Sequence, residues 1–223
     1  MAEAAGPLII FDCDGVLVDS EIVSARTLSA ALTGIGFPLS PADCIDRYTG
    51  ISSRSMVRLI EAEWGRPLPP GFLDDVRTAD AAAYRAELQP IPGAREMLQA
   101  LPLPRCVASS GRVVKMRLTL GLTGLLPFVE PNLFSAEMVA HGKPAPDLFL
   151  FAAQKMGFAP AACVVVEDSL AGVQAGVAAG MRVLGFAGGG HVRPADAAAL
   201  RAAGAALVFD RMAELPALLA AAG

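Results

Sequence analysis

Four short, almost unbroken apolar stretches leave this chain little choice of fold: Leu8-Ile9-Ile10-Phe11, Cys106-Val107-Ala108, Cys163-Val164-Val165-Val166 and Arg182-Val183-Leu184-Gly185-Phe186. A strand with water on one face alternates apolar and polar residues. Strands that do not alternate are buried on both faces, as in a parallel sheet covered by helices. Helix-length segments separate these runs at 93–100, 113–120, 147–156 and 169–179, giving the βαβα rhythm of a doubly wound parallel α/β sheet. Leu207-Val208-Phe209 reads as a late strand, and the alanine-rich stretch 195–206 as a plain surface helix with a loop.

The segment 20–88 breaks the rhythm. It carries amphipathic helical patterns at 21–32, 53–64 and 72–88, no buried strand, and ends at Pro90-Ile91-Pro92-Gly93, where two prolines and a glycine punctuate the chain. The expected organisation is a core of residues 1–19 and 89–223 with a helical cap, 20–88, inserted after the first strand. The 223-residue length suits that division. A cap in that place sits above the carboxyl end of the first strand, where open α/β sheets bind ligands.

With 18 basic and 22 acidic residues the net charge is −4, so there is no basic field for nucleic acid or an anionic membrane. The mean hydropathy of +0.50 is high. Even so, the longest uncharged stretch, 27–42, is 16 residues long and holds two glycines and two prolines, too short and broken to span a bilayer. The amino terminus lacks a basic segment followed by an apolar one, so the default expectation is a cytoplasmic protein, a monomer or weak homodimer. Cys13, Cys44, Cys106 and Cys163 show no C-x-x-C spacing and read as reduced, unligated thiols.

The candidate chemistry lies at the ends of the apolar runs. The first ends Asp12-Cys13-Asp14-Gly15. In extended chain, residues two apart point the same way, so Asp12 and Asp14 share a pocket while Cys13 faces away. Two carboxylates that close repel unless a cation or proton is shared; alternatively, an aspartate pair after a strand serves a turn or a helix cap. The third run ends Glu167-Asp168-Ser169, a second acidic pair, or a cap for the following helix. Hard oxygen ligands with open positions suit Mg²⁺ and a phosphate oxygen. Ser109-Ser110-Gly111 offers a hydroxyl and close backbone N–H groups for an oxyanion. Lys143, fixed between Gly142 and Pro144, points in a defined direction and is placed to neutralise the acidic cluster.

Taken together, Phe-Asp-Cys-Asp-Gly-Val-Leu-Val-Asp-Ser at 11–20, Ser109, Gly-Lys-Pro-Ala-Pro-Asp at 142–147 and Val-Glu-Asp-Ser-Leu-Ala-Gly-Val at 166–173 resemble the haloacid dehalogenase superfamily of hydrolases, in its phosphatase and phosphomutase branch. The resemblance implies a Rossmann-like sheet of order 5-4-1-2-3, Asp12 as nucleophile, Asp14 as general acid and base, and Ser109 and Lys143 as phosphate binders. Mg²⁺ would be held by Asp12, Asp14 (through its carbonyl), Glu167 and Asp168. Cys13, Gly15 and Ser110 join the phosphate-side set, and Glu21 and Arg54 of the cap the substrate-side set.

The implied activity is Mg²⁺-dependent hydrolysis of a small phosphorylated metabolite, a sugar or sugar-acid phosphate such as 6-phosphogluconate, through an aspartyl phosphate. The alternative is a β-phosphoglucomutase-type phosphosugar mutase. Members with that activity carry a histidine where this chain has Ser24, and its two histidines are His141 and His191. Dehalogenase members lack an aspartate equivalent to Asp14, and phosphonate hydrolysis would call for a cap lysine that 20–88 lacks. A rival of another class, a phospho-aspartate signalling receiver, is shorter than this chain. No P-loop is present, and Gly188-Gly189-Gly190-His191 reads as a flexible loop.

Overall fold

The computed structural model describes residues 6–220. Six parallel strands form one sheet: β1 (Leu8–Phe11), β2 (Arg105–Ser109), β3 (Leu133–Ser135), β4 (Cys163–Glu167), β5 (Arg182–Phe186) and β6 (Leu207–Phe209), in the order β3-β2-β1-β4-β5-β6. Read from the other edge this is the expected 5-4-1-2-3 order with β6 added outside β5. The chain winds from β1 out to β3, then returns to lay β4 on the other side of β1, so the direction of winding reverses beside β1.

Period-two geometry accounts for the two layers of core. Ile9, Phe11, Val107, Val164 and Val166 pack on one face of the sheet, and Leu8, Ile10, Cys106, Ala108 and Val165 on the other, all fully or nearly fully buried. Each large aliphatic or aromatic side chain so buried contributes about 1.5–3 kcal/mol, which holds the strand ends in register below the site. Helices α5 (Ala94–Ala100), α6 (Val113–Leu122), α7 (Asp147–Met156), α8 (Leu170–Ala178), α9 (Pro194–Ala202) and α10 (Leu215–Ala220) cover the sheet.

Between β1 and α5 lie only helices: α1 (Glu21–Gly34), α2 (Pro41–Tyr48), α3 (Ser53–Trp64) and α4 (Phe72–Glu87). They have an apolar cluster of their own, including Leu28, Leu32, Ile60, Phe72 and Val76. The sequence pattern missed α2, which is short but well specified: Ser40 and Asp43 form a reciprocal capping box and Pro41 opens the helix. The chain enters and leaves this helical unit side by side. The Asp19 N–H donates to the Gln89 carbonyl (3.0 Å), and the Ile91 N–H to the Leu17 carbonyl (2.9 Å). No helix among the described residues is long and apolar enough to cross a membrane.

Candidate active site

Sheet register assembles the site. Phe11 pairs with Val107 on one side and Val166 on the other, so the next residues, Asp12, Ala108 and Glu167, lie at one level at the carboxyl ends of three adjacent strands. The Asp12 N–H still donates to the Val166 carbonyl at 2.9 Å, which extends the ladder by one residue and fixes the aspartate. Gly15 then turns the chain with φ +75°, and a Cβ at that position would lie 1.8 Å from Asp168 Oδ2. Only glycine allows this approach. Gly172, in the first turn of α8, has the same role: a Cβ there would lie 1.8 Å from Glu167 Oε1.

Lys143, 4% exposed, spans the floor of the site. Its ammonium donates to Asp12 Oδ1 (2.6 Å), Glu167 Oε1 (2.5 Å) and the Ala108 carbonyl (3.0 Å), so all three protons are used. Burial opposes its charge, but Asp12 and Glu167 outweigh that and hold its pKa above the usual lysine value. The resemblance implied a phosphate binder. The geometry shows Lys143 as a bracket between two carboxylates. Glu167 also accepts the Ser169 N–H and hydroxyl through Oε2, at 3.0 and 2.9 Å.

Asp12, Glu167 and Asp168 each offer an oxygen within 4.8 Å of the others. Burial first, then the neighbouring acids, push Asp12 well above its ordinary pKa against the pull of Lys143, and burial raises Asp168 as well. Asp168 is buried, and no well-aligned hydrogen bond reaches its Oδ2, which has His191 Nε2 at 3.2 Å. A buried carboxylate without a donor is costly, and a shared cation removes that cost. Three carboxylates against one lysine leave two negative charges, which a divalent ion matches. The residues therefore fit an oxygen-liganded divalent cation. The carboxylate of Asp14 does not join this cluster.

It faces the cavity instead. Asp14 Oδ1 accepts from Ser20 Oγ (2.5 Å) and pairs with Lys115 Nζ (2.9 Å). Burial pushes Asp14 up, but Lys115 and the Ser20 hydroxyl prevail and hold its carboxyl below the usual range. Lys115, on α6, also lies 5.7 Å from the centre of the Tyr84 ring on α4. Sequence reasoning passed over this lysine, although a cation at the third position of a helix opposes the helix dipole and signals a partner elsewhere. Burial, with the charge of Asp14, lifts the Glu21 carboxyl from 4.5 to about 7.

A cavity of about 290 Å³ lies between the helical unit and the strand ends, with Asp12, Asp14, Ser109, Ser110, Lys115 and Glu21 in its walls. Ser109 Oγ accepts the Gly111 N–H at 3.0 Å, and Ser110 Oγ donates to the Gly50 carbonyl at 3.0 Å, tying the α2–α3 loop down over the site. Two expected binders keep their side chains out of the cavity. Cys13 is wholly buried in the apolar core beside Thr119, as alternation along an extended chain requires. Arg54 is exposed and does not line the cavity; Ser53 and Met56 do, and one residue's turn carries Arg54 off that face of α3. Arg77 and Arg112 line the cavity instead. The loop read as flexible delivers His191 Nε2 to 3.2 Å from Asp168 Oδ2, with the imidazole 5% exposed.

The model of the haloacid dehalogenase-like hydrolase family matches residues 7–180. The 6-phosphogluconate phosphatase of Escherichia coli is 34% identical over 187 residues, covering 83% of this chain and 85% of that protein. A β-phosphoglucomutase of Mycobacterium tuberculosis is 35% identical, covering 92% and 90%. Among solved structures, a haloacid dehalogenase family hydrolase from Deinococcus radiodurans with bound phosphate and sodium is 36% identical at a TM-score of 0.77, covering 99% of this chain and 98% of that one. A haloacid dehalogenase-like protein from Agrobacterium tumefaciens is 39% identical at 0.82, covering 97% and 99%. With the strand order and acidic strand ends described above, these matches establish that the chain belongs to the haloacid dehalogenase-like hydrolases.

Proposed function

We propose that this chain is a Mg²⁺-dependent phosphatase that hydrolyses a small sugar or sugar-acid phosphate, with 6-phosphogluconate the first substrate to test. The observation that carries the reading is the cluster of Asp12, Glu167 and Asp168 around one point, braced by Lys143, at the floor of a roofed cavity. A divalent cation bound by these three carboxylates, and by the Asp14 carbonyl as the resemblance implies, would offset the repulsion between a carboxylate and a phosphate dianion.

Asp12 is the nucleophile: its carboxylate oxygen forms a bond to phosphorus as the bond to the leaving oxygen breaks, giving an aspartyl phosphate. Asp14 supplies the proton to the departing alkoxide and then takes one from the water that releases phosphate and restores Asp12. Lys115 favours the ionised form of Asp14, which suits the second half. A phosphate dianion entering the cavity competes for that lysine and frees Asp14 to carry the proton that the first half needs. The helical unit 20–88 serves as the cap that selects the leaving group.

The mutase is the second reading, favoured by the mycobacterial relative. Against it, the position expected to hold the mutase histidine is Ser24, whose hydroxyl is 2.5 Å from the Tyr84 hydroxyl. The test is phosphate release with Mg²⁺ over 6-phosphogluconate, hexitol phosphates and β-glucose 1-phosphate, with Asp12→Asn as the dead control. Metal-dependent release that the variant lacks is the expected result. Glucose 6-phosphate as the product of β-glucose 1-phosphate would select the mutase, and release undiminished in the variant would remove Asp12 as nucleophile.

A further inference from the structure

Of the three clustered carboxylates, two are held by the chain: Asp12 by Lys143, Glu167 by Lys143 and Ser169. Asp168 receives nothing comparable, and the His191 imidazole reaches it, Nε2 to Oδ2, at 3.2 Å. His191 follows three glycines that pack close against their neighbours. A Cβ at residue 188 would lie 2.1 Å from the Asp210 carbonyl oxygen. At residue 189 it would meet the His191 ring at 2.9 Å and the Gly15 carbonyl at 3.0 Å; at residue 190, Asp19 Oδ2 at 2.7 Å. The Gly190 N–H donates to Asp19 Oδ1 (3.1 Å), and the Val192 N–H closes a turn on the Gly189 carbonyl (3.0 Å). The same carboxylate oxygen and the His191 ring both abut Gly15, where a Cβ would lie 1.8 Å from Asp168 Oδ2 and 2.8 Å from His191 Cε1.

We infer that residues 188–191 form a packed bracket whose work is to set the Asp168 carboxylate for the divalent cation, with His191 Nε2 as the positioning group. The inference rests on the reading of Asp168 as a cation ligand. A carboxylate free to rotate would have to be ordered by the ion itself, and that ordering weakens binding; groups that orient a ligand from behind typically contribute 10–100-fold in metal affinity or activity. The His191 imidazole is 5% exposed and does not line the cavity, so it acts through Asp168 rather than on the phosphate ester.

The test compares His191→Gln with His191→Met in the full chain, because the two side chains are similar in length and volume and only glutamine donates. Mg²⁺ is titrated calorimetrically into each apo enzyme, and p-nitrophenyl phosphate turnover is measured at saturating Mg²⁺. The expected result is Mg²⁺ binding weakened about tenfold or more by methionine and within about threefold of wild type for glutamine, with KM for the ester unchanged in both. Glutamine and methionine variants that bind Mg²⁺ alike, both normally or both weakly, would reduce His191 to packing and overturn the inference. A wild-type protein that takes up no Mg²⁺ would instead bring down the proposed function on which it rests.

Discussion

Glu21 opens α1 in the cavity wall, and its carboxyl is lifted from 4.5 to about 7 by burial and by Asp14, with Lys115 opposing. Because the folded state binds this proton more tightly than the unfolded chain, wild-type stability should fall as pH rises through the window from 4.5 to about 7. The slope is about 1.36 kcal/mol per pH unit and the total about 3 kcal/mol as an upper bound. The favourable placement of an acid in the first turn of a helix returns only about 0.3–1 kcal/mol, so the burial cost prevails. Glu21→Gln keeps the size and removes the charge. Urea unfolding of both proteins in EDTA at pH 5, 6, 7 and 8 should show the variant gaining on wild type, from a small difference at pH 5 to about 3 kcal/mol at pH 8. A difference that stays constant to within about 0.5 kcal/mol across that range would refute the electrostatic account of this residue.

Lys143→Met removes the cation that two buried carboxylates share, and should cost about 3–5 kcal/mol in urea unfolding at pH 7 besides ending turnover; a loss under about 1 kcal/mol would deny the lysine its bracing part. Gly172→Ala sets two effects against each other: helix propensity favours alanine by about 1 kcal/mol, but its Cβ would sit 1.8 Å from Glu167 Oε1. Sterics should win, lowering the Tm and weakening Mg²⁺ binding, and a variant as stable as wild type would show that the Glu167 carboxylate has room to move.

Long-range order was legible where burial writes itself into composition. Unbroken apolar runs marked β1, β2, β4 and β5, and the acids at their ends marked the cluster. Leu133 and Phe134 are too short a run to declare β3, although the sheet builds it by pairing Ala108 with Phe134. Lys115 and His191 escaped because their partners, Asp14 and Asp168, are remote in sequence or on another element, and helical phase rather than residue type decided between Arg54 and Arg77. The three glycines before His191 were read as freedom to move, whereas the fold uses them for close packing; a glycine run alone does not distinguish the two.

The paired backbones at Asp19–Gln89 and Leu17–Ile91 make entry and exit of the helical unit a single seam. Material can be lengthened, shortened or replaced beyond such a seam while the carboxylates beneath keep their register, so the choice of alcohol and the handling of phosphorus can evolve as separate problems. Exchange of a whole helical unit then requires compatibility at that junction and where the unit settles back onto the core, at Gly50 on Ser110, Tyr84 beside Lys115 and Asp46 on Arg193.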